Sequence, residues 1–241
     1  SRKASSAPSP ISTSRFDPCK NIKNASAITY FPMKKLFITC LALAFSLFGS
    51  GCVLGRRTVD LPIPTAASLP ASKGTVTIGS IVDARHFENK PDHPSTPSID
   101  GDVNSQSAEQ LSVVIGRQRN GFGHAMGDVG LPPGETVQTI VKKLIAQGFA
   151  RRGYTVTANA SADTTVDVTI NKFWAWTPYG PIIADVDCSF IVKRDGLTKT
   201  FTVQASGSSA GFFGNDWQQT YTRAFEDFLG KFDQELASNG F

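Results

Sequence analysis

Cysteine is scarce in this sequence, with four residues in 241, and this scarcity excludes a disulfide-stapled fold. Cys19, Cys40 and Cys52 lie within or at the end of an N-terminal leader-like segment. Cys188 is therefore alone in the remaining chain. An oxidising compartment permits disulfides, but this part of the chain has no pair to form one.

An excess of positive charge is also missing from the part of the chain expected to fold. The whole sequence has a net charge of +4, but residues 1–51 hold seven of its 24 basic residues and one of its 20 acidic residues. The remainder has a net charge of −2. Because proteins that bind nucleic acid carry a basic footprint, we expect no nucleic-acid partner.

An export signal is predicted from Met33 onward. Lys34 and Lys35 precede the apolar run Leu36–Phe48, and small residues follow, as in a secretory signal. Residues 1–32 are polar, serine-rich and unpatterned. We interpret them as upstream, non-native sequence with no role in the fold.

Three interpretations of residues 36–54 compete, and the lipoprotein signal among them would cover residues 33–51. A transmembrane helix needs roughly 20 apolar residues, which this run only just reaches before Gly49 and the following small residues interrupt it. An ordinary cleaved secretion signal is the second interpretation. The third is a lipoprotein signal, because Ser50-Gly51-Cys52 matches the end of its Leu-Ser-Gly-Cys pattern, although Gly49 replaces a branched apolar residue. We favour the third, with lipid attached to Cys52.

The chain after Cys52 divides into a spacer and one domain. Residues 52–73 are rich in proline, alanine, serine and threonine, which predicts a flexible, extended tether. Residues 74–241 are enough for a single periplasmic domain with a sizeable core.

Alternating apolar and polar residues predict strands, and two apolar stripes with a 3.6-residue period predict helices. The predicted strands cover residues 75–85, 111–117, 154–158, 164–176, 184–194 and 198–206. The helices cover residues 137–149 and 216–236, and Asp195-Gly196 predicts a hairpin turn. The expected fold is α/β (α+β), a two-layer sandwich whose mainly antiparallel sheet is covered on one face by two amphipathic helices. The other face would be wet or engaged by a partner.

No catalytic motif withstands inspection. Residues 207–211, Gly-Ser-Ser-Ala-Gly, match a nucleophile elbow, but all three histidines precede Ser209, so the order of a hydrolase triad fails. The glycines of residues 121–127 are spaced as in a dinucleotide loop, but no helix follows directly. We expect flexible loops at both places and no cofactor.

Two groups of polar residues could suggest a metal or an acid–base pair. The segment 86–93 brings together imidazole and carboxylate groups, namely His86, Glu88, Asp92 and His93. It lacks cysteine and strict spacing, so we expect no metal. Asp185 and Asp187 share the outer face of a strand, which usually means a solvated surface.

An aromatic group follows the strand of residues 164–176. Trp174, Trp176 and Tyr179 gather near a turn containing Pro178 and Gly180. Aromatic residues are enriched in recognition patches, so we predict that these three side chains protrude and bind a partner. The alternative is that they pack this end of the strand into the core.

The order of these features resembles the YajG-type lipoproteins of Gram-negative outer membranes. It runs from the lipobox through strands, a helix ending in "ARRGYTV", the strand "ADTTVDVTI" and a hairpin to a terminal amphipathic helix. The resemblance covers about residues 33–236 and implies an anchored periplasmic domain without known catalysis. Val53 stands where inner-membrane retention favours Asp, which fits export to the outer membrane.

The expected function is therefore a non-enzymatic binding or scaffolding module of the cell envelope. Its expected partners are the membrane, through the lipid anchor, and an envelope protein. Two alternatives are an envelope hydrolase and a carrier of a small apolar ligand held between the sheet and the helices.

The predicted lipid anchor can be tested with one variant. Replacing Cys52 with Ser should abolish incorporation of radiolabelled palmitate and cause the unprocessed precursor to accumulate, because the thiol is the acylated group. Normal processing of the serine variant would instead indicate an ordinary signal peptidase and would contradict the lipoprotein interpretation.

Overall fold

The computed structural model describes residues 57–65, 70, 73–120, 122–159, 161–178, 180–210 and 216–241. All of them lie within the compact unit Cys52–Phe241. Among the helices formed by these residues, none is both long enough and apolar enough to cross a bilayer.

The described residues form eight strands and three α-helices. Strands β1 to β8 are Arg57–Thr58, Thr75–Asp83, Val114–Arg119, Ala125–Gly130, Thr155–Thr157, Thr164–Trp176, Ile182–Arg194 and Leu197–Ser209. Helices α1 to α3 are Ala108–Ser112, Val137–Arg151 and Asp216–Ser238. The two long helices and the four strands from β5 to β8 confirm the elements predicted for those stretches of sequence.

Helix α2 begins and ends where its sequence requires. Thr136 is the N-cap, and its hydroxyl accepts a hydrogen bond from the Thr139 N–H at 3.2 Å, while the Thr139 hydroxyl accepts one from the Thr136 N–H at 2.9 Å. This reciprocal capping satisfies two donors that a helix start leaves unpaired. The helix ends just before Gly153, whose φ of +84° suits glycine.

The β7–β8 hairpin forms as predicted. Asp195 and Gly196 both have positive φ values, +52° and +76°, as in a two-residue turn whose twist matches that of the strands. The two strands pair without interruption from Arg194 and Leu197 at the turn to Ile182 at the far end.

The sheet is mixed, which corrects the prediction of a mainly antiparallel sheet. Of its seven strand pairings, β1–β4, β2–β5, β2–β6 and β3–β6 are parallel, and β3–β4, β6–β7 and β7–β8 are antiparallel. The strands that pair in parallel are far apart in the chain, and the segments between them are long, some of them containing α2. Such connections return the chain to the same end of the sheet and permit parallel pairing.

Strand β6 is the central strand and has two different neighbours along one edge. Its first half pairs with β2, and Ala175 near its end pairs with Gly116 of β3. Its other edge pairs with β7 along nearly its whole length. One long strand therefore joins two smaller groups of strands.

Helices α2 and α3 contribute to the main core together with one face of the sheet. Phenylalanine rings occupy the space between them, and the centroids of Phe190 and Phe232 are 4.9 Å apart. At Gly207 of β8, an added Cβ would lie 2.3 Å from the Thr220 carbonyl oxygen of α3. Glycine therefore allows α3 to lie directly on the last strand.

A second, smaller core lies on the opposite face of β6. The strand has a bulge between Ile170 and Lys172, so Phe173 faces the main core and Trp174 the other side. Trp174, Trp176, Ile99 and Val114 form this second core. The prediction of a two-layer sandwich with one uncovered face is therefore incomplete at this end of the sheet.

Part of the predicted tether belongs to the folded domain. Arg57 and Thr58 pair with β4, and Val59 and Leu61 are 7% and 3% exposed in the main core. The prediction of a flexible tether is therefore wrong for these residues. The sequence carried the signal, because Val59, Leu61 and Ile63 alternate with polar residues and proline.

Arg85 fills the gap between the two neighbours of β6. Its side chain is fully buried and donates to both carboxylate oxygens of Asp83 at 2.8 Å. It also donates to the carbonyl oxygens of Val114 at 2.6 Å, Leu111 at 2.9 Å and Phe173 at 3.2 Å. Each of its three nitrogens therefore has a partner, and the guanidinium joins β2, β3 and β6.

Replacing Arg85 with Met should destabilise the domain by about 3–5 kcal/mol, because Asp83 and three carbonyl groups would lose a buried partner. Denaturant unfolding of the variant and the parent protein measures this difference. Lys142→Met, on the exposed side of α2, is the matched control and should stay within about 0.5 kcal/mol. Equal stability of the two variants would show that Arg85 does not hold the strands together.

Candidate functional site

A polar cleft lies at the β7–β8 edge of the sheet, beside the face turned away from the main core, which we call the outer face. The cleft has a volume of about 310 Å³. Its lining residues come from β6, β7, β8 and α3: Lys172, Asp185, Val186, Asp187, Gln204, Ala205, Ser206 and Lys231.

Lys172 and Asp185 form an ion pair at one side of the cleft. The Lys172 ammonium lies 2.7 Å from the Asp185 carboxylate and 4.8 Å from the centroid of the Trp176 ring. Both charged side chains are about 30% exposed, at 30% and 28%. The buried tryptophan thus supports the lysine from beneath, and the ion pair reaches the surface in a fixed position.

The bulge in β6 also positions a network around Asp187. Asn171 donates from its amide to Asp187 at 2.8 Å and to Ser189 at 2.9 Å. Gln204 donates to the other Asp187 oxygen at 2.8 Å, and the Ser189 and Thr202 hydroxyls lie 3.1 Å apart. Three neighbouring strands are therefore joined across the outer face by side-chain hydrogen bonds.

Three side chains of α3 cover the main chain of β8 at the rim of the cleft. Asp227 accepts a hydrogen bond from the Ser206 N–H at 3.1 Å, and Lys231 donates to the Gln204 carbonyl oxygen at 2.9 Å. Arg223 donates to the Ser208 carbonyl oxygen. These three helix residues follow one another at intervals of four, so they lie on one side of α3.

A third carboxylate on the outer face, that of Asp167, links β2 to β6. Asp167 accepts hydrogen bonds from the N–H and hydroxyl of Ser80, both at 2.9 Å, and pairs with Lys193 at 3.0 Å. The Ser80 N–H is the largest cause that lowers the Asp167 pKa below its ordinary value, followed by Lys193. An added Cβ on Gly79 would lie 2.6 Å from the same carboxylate, so glycine makes room for this contact.

The carboxylates of the outer face have hydrogen-bond or ion-pair partners on neighbouring strands. Asp185 is paired with a lysine, and Asp187 accepts from two amides, so neither is poised beside the other as an acid–base pair. Sequence reasoning identified these two carboxylates on the outer face. It missed Asn171 and Lys172, because the bulge that places both on this face has no clear signature in the sequence.

The predicted partner-binding aromatics do not protrude where the structure describes them. Trp174 is completely buried, and its indole N–H donates to the Pro94 carbonyl oxygen at 3.1 Å. Trp176 is 7% exposed. The expectation that these two side chains protrude is therefore wrong, because residues 84–113 fold over them. Tyr179 lies outside the described residues, as does Cys52.

Ser209 of the elbow-like motif has a structural role. It is 3% exposed, and its hydroxyl lies 2.7 Å from the Thr220 hydroxyl and 3.1 Å from the Asp216 carbonyl oxygen, at the start of α3. The glycine-rich residues 121–127 lead into strand β4 rather than a helix. Residues 122–127 therefore lack the helix that a dinucleotide loop requires.

The histidines of residues 86–93 also have local partners. His86 lies 3.4 Å from Glu88, and His93 contacts the Ser95 hydroxyl at 2.6 Å. Within the described part of the chain, no three or more metal-ligating side chains come together. Cys188 is buried in the main core, and burial raises the pKa of its thiol, which keeps it protonated.

No family model matches this chain, and neither does any curated protein sequence. A Xanthomonas campestris structure of the family DUF330 is 12% identical, with a TM-score of 0.40 over 75% of this chain and 91% of that one. A predicted lipoprotein of Caulobacter crescentus is 11% identical, with a TM-score of 0.31 over 43% and 84%. Lipoprotein GNA1162 from Neisseria meningitidis is 8% identical, with a TM-score of 0.29 over 68% and 96%.

Some of the similar structures are thus named as bacterial lipoproteins, whereas the resemblance to YajG-type proteins has no sequence match to confirm it. Identities and TM-scores this low transfer neither a function nor a site to this chain.

Because Trp174 is buried, its replacement should destabilise the domain, whereas a protruding side chain could be removed at little cost. Trp174→Ala should cost about 3–5 kcal/mol in the free energy of unfolding, because it leaves a large cavity in the second core. Ile191→Ala is the control, since Ile191 is 41% exposed on the outer face, and should cost less than about 1 kcal/mol. A near-neutral Trp174 variant would mean that the covering segment does not pack on this ring.

Proposed function

We propose that this protein is a lipoprotein anchored through Cys52 to the outer membrane, with its domain facing the periplasm. The lipobox-like Ser50-Gly51-Cys52 and the apolar run before it support the anchor. Val53 in place of Asp supports the outer membrane as the destination.

The proposed role is to bind or scaffold a protein of the cell envelope without catalysis. The observation that carries it is the ordered polar network of the outer face, from Lys172–Asp185 to Asn171–Asp187–Gln204. Exposed strands can be merely solvated, but here cross-strand bonds already fix the side chains. A partner that docks on this face would therefore lose little side-chain entropy in binding.

A non-catalytic role is supported by how the polar groups of the outer face are used. Its lysines and carboxylates pair with one another or with amides, and these contacts are suited to recognising a polar surface. The space proposed for an apolar ligand is occupied by the contacting rings of Phe190, Phe228 and Phe232. Neither alternative function gains a supporting observation.

Site-specific photocrosslinking in intact cells tests this role. A photoreactive amino acid is placed at Thr202 or Ile191 on the outer face, or at Lys142 on the exposed side of α2 as the control. If a partner docks on the outer face, Thr202 and Ile191 should each give the same discrete crosslinked product, and Lys142 should not.

A disruptive variant completes this test. Gln204→Ala removes a donor to Asp187 without touching the core, so it should leave thermal stability unchanged and reduce the crosslinked product at Thr202. Equal products from all three positions, or none from the outer face, would overturn the proposed docking face.

A further inference from the structure

We propose that the end of the domain formed by the β3–β4 hairpin contacts the membrane surface, with Phe122 entering the lipid interface and Arg119 meeting the phosphate groups of anionic phospholipids. This proposal rests on the lipid anchor proposed above, which brings the bilayer close to the domain.

The position of β1 shows which end of the domain the anchor approaches. Four residues separate Cys52 from Arg57, and the five steps of extended chain between them span at most about 18 Å. β1 runs parallel to β4, with Arg57 beside Val129. The chain therefore enters β1 from the end where β4 begins, and β4 begins at the hairpin tip, where Ala125 pairs with Arg119.

Phe122 is the most exposed large hydrophobic side chain of the described residues, at 87%. The tip that carries it is ordered by Asn120, whose side-chain oxygen accepts from the Phe122 N–H at 3.0 Å and the His124 N–H at 2.9 Å. An ordered turn that presents a bare aromatic ring to water is unfavourable for an isolated domain. Phenylalanine is common on the lipid-facing side of segments that bind at the membrane interface, and such a contact would bury the Phe122 ring.

Two arginines lie beside the hairpin. Arg57 and Arg119 line a pocket of about 150 Å³ together with Gln118, Thr177, Ile182 and Trp217. Among these lining residues, Arg119 is the charged side chain that belongs to the hairpin itself.

Arg119 is also placed to bind an anion. It donates to the Gly123 carbonyl oxygen at 3.0 Å, and its buried Nε atom has no hydrogen-bond partner among the described residues. Burial, with a smaller contribution from Arg117, lowers the pKa of this guanidinium, so an anion nearby would be stabilising. The planar guanidinium fork can bind phosphate oxygens in a bidentate geometry.

A fluorescent label tests this contact in the anchored protein. Phe122→Cys is labelled with an environment-sensitive thiol dye, and the acylated protein is reconstituted into vesicles of phosphatidylethanolamine and phosphatidylglycerol. Cys188 is buried and does not compete for the dye. Leu197→Cys is the control, because Leu197 is 66% exposed at the β7–β8 turn, roughly 40 Å away along β6.

Lipids with brominated acyl chains should quench the dye at residue 122 at least threefold more than the dye at residue 197. Arg119→Gln should reduce this difference in quenching by up to about fivefold, because one charge contact with the lipid is lost. Replacing phosphatidylglycerol with phosphatidylcholine should also reduce it. Equal quenching at residues 122 and 197 would overturn the proposal. If neither Arg119→Gln nor the change of lipid charge alters the quenching at residue 122, the role of the phosphate groups is overturned.

The mass of the purified protein reports acylation separately, so the two proposals can fail independently. An acylated protein whose residue 122 stays in water refutes the membrane contact and leaves the anchor intact. If the protein is not acylated, the anchor fails, and sedimentation of the unacylated protein with the same vesicles tests the contact. Binding that Phe122→Ser weakens and Leu197→Ser does not would then support it, and absence of binding would refute it.

Discussion

The sheet depends on how the main-chain hydrogen-bonding groups along one edge of β6 are paired between its two neighbours, β2 and β3. β2 ends beside Ile170, where the Ala84 N–H still reaches the Ile170 carbonyl oxygen, and β3 joins only at Ala175. Between these points the Phe173 carbonyl group of β6, with those of Leu111 and Val114 beside it, would lose a donor without Arg85, which is costly for buried groups. Arg85 supplies the missing donors, and Asp83 neutralises its charge. A single buried side chain thus allows one long strand to combine two groups of strands in one domain.

The parts of this fold that sequence reasoning predicted are those governed by local patterns. Helix α2, helix α3 and the β7–β8 hairpin each follow from apolar period, capping or turn residues, and each forms where expected. The parallel pairing of β2 with β6 could not be predicted in this way, because it depends on where a chain segment returns after more than 80 residues. The strand at Arg57–Thr58 was missed for another reason: Pro62 and Pro64, which follow it, outweighed the alternation of Val59 and Leu61.

A single bulged residue in β6 changes the face on which all later residues of the strand lie, including the two tryptophans. Up to Ile170 the alternation along β6 predicts correctly which side chains are buried. The bulge at Asn171 then reverses the phase, so a simple continuation misplaces every later residue. The break in alternation beyond Lys172 was visible in the sequence and suggested exposed aromatics. In the structure these aromatic residues instead lie on the other face of β6, where they are buried in the second core.

The contacts that Arg223, Asp227 and Lys231 make with β8 affect how densely copies of the protein can lie beside one another. A domain tethered to a membrane, as proposed here, diffuses in two dimensions and meets its own copies often and in similar orientations. An outermost strand with open main-chain groups would then invite neighbouring copies to join edge to edge into fibres. Because α3 occupies those groups between Gln204 and Ser208, that stretch of β8 cannot template such growth. The helix thereby raises the density at which this protein can populate a leaflet as separate molecules.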